Sequence, residues 1–155
     1  MARTKTQRAE PPGTIALPAL APFAGSSIES HGDYEAVNVV DLDFAGQTAE
    51  AVAFLRCRLE RCGMNGVRMP RVRISESLLA EIHAVSLDVG DSTWRDSLVR
   101  DCRIGALTAA GATWTGVSVR GGKFDFVDFT GARLTDVVFE GCAIGSLDLG
   151  DAQVR

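Results

Sequence analysis

Histidine and tyrosine are scarce in this chain of 155 residues: two of the first, one of the second. His31 and His83 have no serine or cysteine at the spacing of a known nucleophile–base pair, so nucleophilic catalysis finds no support. Gly121-Gly122-Lys123 has the wrong upstream glycine spacing for a phosphate loop and no strand-to-helix switch after it. No apolar run is long enough to encode a membrane-spanning helix. The apolar stretch Thr14–Gly25 is broken by Pro18 and Pro22 and preceded by Glu10, so export is not expected. Charge of either sign is weakly concentrated. Residues 1–29 carry Arg3, Lys5 and Arg8 against Glu10 and Glu29, or +1, and the remaining 13 basic and 18 acidic side chains give −5. Direct binding of nucleic acid through its phosphates is therefore not expected.

The four cysteines, Cys57, Cys62, Cys102 and Cys142, show no metal-ligand pairing with either histidine. They read as small buried hydrophobes kept reduced, which fits the cytoplasm, and no metal or cofactor is expected. Proline is also unevenly spread: Pro11, Pro12, Pro18 and Pro22 lie in residues 1–29, which show no period. That segment reads as a flexible or loosely docked arm whose basic start could touch an acidic partner.

What the chain does have is a five-residue beat that runs through residues 30–155. Every fifth residue from Tyr34 is uncharged: Val39, Phe44, Ala49, Phe54, Leu59 and onward through Trp94, Trp114, Phe129 and Leu149 to Val154. The position two earlier is apolar or small in nearly every unit, and all four cysteines fall in it; Gln47 is its one large polar member. Five matches neither the helical period of 3.6 nor the strand period of two. It suits a chain that turns a corner every five residues, closes a square coil in about 20 and stacks coils about 4.8 Å apart. The segment Ala49–Cys62 is rich in helix formers and offers a rival helical reading, but Phe54, Leu59 and Met64 stay on the beat.

The units Val127-Asp128-Phe129-Thr130-Gly131, Ala132-Arg133-Leu134-Thr135-Asp136 and Leu147-Asp148-Leu149-Gly150-Asp151 resemble those of the pentapeptide-repeat family. The resemblance implies an all-β fold, a right-handed quadrilateral β-solenoid of about six coils. Gly111, Gly116, Gly121, Gly131 and Gly141 close their units, where a corner favours positive φ. The well-understood members of that family mimic DNA, bind DNA gyrase and lessen the effect of drugs on it. A protein partner, with DNA gyrase as the candidate, is what the resemblance implies.

Four units per coil place every fourth unit on the same side wall. Trp94 and Trp114 should stack on one wall, with indole nitrogens that need partners or a route to solvent. A second wall, centred on Val39, Leu59, Leu79, Val99, Val119 and Phe139, carries Leu78, Leu98 and Val138 outward. This apolar stripe is a candidate interface: a self-association or partner surface, or a groove for the N-terminal arm. A further wall carries Glu50, Asp88, Asp91, Asp128, Asp148 and Asp151, a candidate partner-binding face that could imitate a phosphate row or simply keep the rod soluble. Arg56, Arg58, Arg61, Arg68, Arg71 and Arg73 fall on successive units and so wrap round the rod without lining one side. The beat continues to Val154, so the last coil should expose core and strand edges, which a second copy or further chain would cover. The expected function is a non-catalytic interaction module or scaffold, with a gyrase-binding DNA mimic as the alternative and an enzyme or accessory factor with a surface groove as a second.

Overall fold

The computed structural model describes residues 15–155, so the basic start of the arm, Arg3 to Arg8, lies outside the described residues. Strands pair in parallel with those 20 positions away: Trp94 lies between Ile74 and Trp114, and Val99 between Leu79 and Val119. One seven-stranded sheet runs from Asp33–Glu35 to Gln153–Val154 and forms the tryptophan wall. Seven strands at this repeat mark six complete turns and the start of a seventh. A second seven-stranded sheet forms the stripe wall and begins with Ala21–Pro22. A five-stranded sheet passes through the two remaining walls. The result is an all-β solenoid of stacked coils.

Three corners of the coil hold a residue in the left-handed region, and Gly111, Gly116, Gly121, Gly131 and Gly141 are among them at φ between 66° and 69°. The fourth corner changes along the rod. In the first two coils it is a tight turn, in which Gln47 and Val67 donate their N–H groups to Phe44 and Met64 at 3.0 and 3.1 Å. From His83–Asp88 onward it opens into six-residue strands that run through both walls. Asn65 joins the two kinds of corner, its Oδ1 accepting the Val85 N–H at 2.8 Å.

The helix formers of Ala49–Cys62 enter strands Ala53–Leu55 and Arg58–Glu60. Helix propensity differs by only tenths of a kcal/mol per residue. It yields here to burial of Phe54, Cys57, Leu59 and Cys62, none more than 1% exposed. The interior is filled by its own side chains. An internal void of about 20 Å³ lies among Leu79, Ile82, Trp94, Trp114 and Phe124 and has no room for a ligand. Trp94 and Trp114 stack with centroids 4.5 Å apart and planes 24° apart, and neither indole nitrogen has a hydrogen-bond partner.

The polar members of the interior columns at the start of the solenoid have a specific task. Gln47 Oε1 accepts the Ile28 N–H at 3.1 Å, and the Tyr34 hydroxyl accepts the Glu29 N–H at 3.0 Å. These bonds hold Ile28, which is 6% exposed, and Phe23 over the apolar top of the first coil. Phe23 packs against Tyr34 and Phe44 at centroid distances of 5.6 and 6.0 Å. Residues 21–29 thus close this end of the core.

A second polar exception lies deeper. Ser77 Oγ accepts the Cys57 N–H at 3.0 Å and donates to the Ser75 carbonyl at 2.8 Å, and Ser97 repeats the pattern one coil on. Ser77→Ala leaves a buried N–H without a partner and is expected to cost about 1–3 kcal/mol. Urea unfolding checks this, and a loss under about 0.5 kcal/mol would show that the serine oxygen is dispensable.

Candidate functional site

The stripe wall presents two outward columns. One reads Asn38, Arg58, Leu78, Leu98, Ser118 and Val138, the other Val40, Glu60, Ala80, Arg100, Arg120 and Glu140. In the middle of the rod these columns place Leu78, Ala80 and Leu98 side by side, and Ile15 and Leu17 of the N-terminal segment pack onto them. Leu78 and Leu98 are consequently only 7% and 4% exposed, whereas Val138 is 47% exposed. The two leucines are not an open surface: the chain's own segment sits on them.

That segment is held unequally along its length. Ala21 and Phe23 donate backbone hydrogen bonds to Ala36 and Asn38 at 2.9 and 3.1 Å. Among the described residues, residues 15–20 make no such bond to the wall. Their exposure alternates, with Ile15 and Leu17 half-buried and Ala16 and Pro18 exposed, as in an extended chain. From Ala21 to Ile15 an extended chain spans about 20 Å, and the four strand spacings from Ala21–Pro22 to Leu98–Arg100 span about 19 Å. Residues 15–20 therefore form a strap laid across the strands. Half-burying an isoleucine and a leucine is worth about 1 kcal/mol each, so the strap is held by about 2 kcal/mol.

Polar groups along the same track are incompletely paired. Of the described residues, Asn38 Oδ1, Arg58 Nε and Arg100 Nε are buried and have no hydrogen-bond partner. Arg58 approaches Glu60 at 4.0 Å and Arg100 approaches Asp101 at 3.7 Å, both beyond hydrogen-bond range.

The acidic wall aligns Asp88, Thr108, Asp128 and Asp148 in register. Each aspartate spends one oxygen on its own turn: Oδ1 accepts the N–H of Gly90, Thr130 or Gly150 at 2.8–2.9 Å. This is the local bond that makes Asp-x-Gly and Asp-x-Thr turn formers, and that signal was present in the sequence. Asp91 and Asp151 occupy left-handed corners at φ 54° and 56°. Glu50 pairs with Arg71, and Asp88 lies 3.9 Å from Arg68, so one end of the wall is neutralised. Among the described residues, Asp91, Asp128, Asp148 and Asp151 have no ion pair.

The arginine run is similarly occupied. Arg56 bonds to Glu35 at 2.6 Å and Arg61 to Asp41 at 2.8 Å. The latter contact holds the Asp41 carboxyl below the ordinary carboxylate range and raises the Arg61 guanidinium. Such exposed pairs contribute little to stability. They do leave Arg73 as the one member of the run without an ion pair among the described residues.

All four cysteines are free thiols, with Cys142 only partly buried. Burial pushes the Cys102 thiol up to about 12 and raises Cys57, Cys62 and Cys142 as well. A raised thiol pKa leaves almost no reactive thiolate near neutral pH. A maleimide at about pH 7.5 is therefore expected to label Cys142 slowly and the other three only after denaturation. Fast labelling of Cys57 or Cys102 in the folded chain would contradict their burial.

No protein-family model matches the sequence, and no curated protein matches it. Two solved structures of trypsin-treated variants of QnrB1, described as a plasmid-mediated fluoroquinolone resistance protein, show partial likeness. They are 13% and 14% identical, cover 79% and 80% of this chain and 91% and 92% of their own, and superpose with TM-scores of 0.29 and 0.28. Likeness of that degree assigns neither partner nor activity. The coil register stands independently of it: the chain is a β-solenoid built on a five-residue unit.

Proposed function

We propose that this chain is a non-catalytic protein-interaction module of the pentapeptide-repeat type, working in the cytoplasm. The observation that supports this reading is the register. Outward side chains repeat at one-coil spacing along flat walls, as Arg58, Leu78, Leu98, Ser118 and Val138 do, around an interior already filled. Such a rod offers ladders of side chains to a partner surface. A partner held by the wild-type chain should be lost on changing one wall, for example with Asp128→Lys and Asp148→Lys, while circular dichroism stays unchanged. Retention of no partner by any wall would sink the reading.

The aligned Asp88, Asp128 and Asp148 favour a second reading, that of a gyrase-binding DNA mimic. A supercoiling assay with purified gyrase, with and without a quinolone, separates the two. Protection that disappears in the Asp128→Lys, Asp148→Lys variant supports mimicry. No effect at excess protein, with no gyrase subunit retained on a column, removes it.

A further inference from the structure

We propose that the stripe wall is a peptide-binding surface which the strap, residues 15–20, occupies in cis. Its external ligand would be an extended segment of a partner protein carrying two large aliphatic residues at i and i+2. The proposal rests on the interaction-module reading and names the wall and the ligand chemistry for it.

The strap itself defines what fits. Ile15 and Leu17 meet Leu78, Ala80 and Leu98 through side chains alone. The wall's backbone groups are already engaged in pairing between coils, so an incoming chain cannot extend the sheet there. It must cross the strands and be read by its side chains, which selects an alternating apolar segment over an amphipathic helix. The occupant seen here is a poor fit in one respect. It leaves the Arg58 and Arg100 Nε–H groups and the Asn38 carbonyl buried without partners. A competitor that brings an acceptor to either arginine gains a bond the strap does not make.

The strap is also built to leave without disturbing the core. Its cap-side neighbours are fixed by the backbone bonds of Ala21 and Phe23 and by the packing of Phe23. Pro18, within the strap, has no N–H with which to bind the wall. Past Leu98 the column runs through Ser118 to the exposed Val138, so a longer ligand meets one further apolar side chain beyond those that Ile15 and Leu17 cover.

The test uses the full chain and a synthetic peptide of residues 11–21 as the probe. Releasing the strap with Ile15→Ser and Leu17→Ser leaves the wall and the cap unchanged. By NMR titration the peptide is expected to bind the released chain at least about tenfold tighter than wild type, in the high-micromolar to millimolar range. Shifts should centre on Leu78, Ala80 and Leu98. The same peptide with both serines should not bind. Equal affinity for the two chains, no binding to the released chain, or binding by the serine peptide would each overturn the proposal. These failures are distinct from failure of the module reading, because they concern one wall and leave partner capture by the acidic wall unaffected.

Discussion

Phe129→Ala is expected to destabilise the rod by about 3–5 kcal/mol, the range for removing a fully buried aromatic ring. Phe129 is 0% exposed and meets Trp114 edge-on at 4.9 Å and Phe139 at 6.1 Å. Its removal opens a cavity between aromatic layers that cannot collapse, because the coil spacing is set by backbone hydrogen bonds on both sides. In a solenoid each coil touches only its neighbours, so the loss should fall mainly on coupling between the coils flanking residue 129. Urea unfolding should shift to lower concentration. Hydrogen exchange should lose protection in Ala143–Asp148 before His83–Asp88. A loss under about 1 kcal/mol, or uniform loss of protection, would show that the layers repack.

Gly122→Ala is the second large effect, and it acts through the backbone. Gly122 sits at φ 87°, and a Cβ there would stand 2.4 Å from the Cys102 carbonyl oxygen and 2.9 Å from the Cys102 nitrogen. Neither is the end of a flexible side chain, so adjacent coils must move apart. The left-handed conformation costs about 1–2 kcal/mol and the overlap adds about 1–3, for a total of about 2–5 kcal/mol. Gly131→Ala is the matched control. Its φ is 68° with nothing within 4 Å of the added carbon, so it should cost only about 1 kcal/mol. Comparing the two melting curves separates steric from conformational cost. Equal losses would mean that Cys102 yields freely.

The five-residue beat determined the coil, the inward columns and the assignment of outward residues to walls. That was possible because a solenoid core is local: each interior position is filled by residues a fixed number of positions away. The stacking of Trp94 on Trp114, the burial of Cys57, Cys62 and Cys102 and the positive φ at Gly111 and Gly131 were all readable from the period and the residues it places; Cys142, in the last full coil, stays partly exposed because fewer coils cover it. So was the grouping of Leu78, Leu98 and Val138 on one wall.

Tertiary structure decided what breaks the period. Gln47 and Tyr34 look like flaws in the interior columns until the 26–29 segment is seen bonding to them. Asp88, Asp128 and Asp148 look free until one oxygen of each is found on the N–H two residues on. Above all, nothing periodic marks Ile15 and Leu17, because the strap follows no repeat and its partners lie more than sixty residues away in sequence. The sequence by itself determined the rod and its walls, since those rest on nearest-neighbour stacking. Which wall is already covered, and by what, rests on a long-range contact and was settled only by the fold.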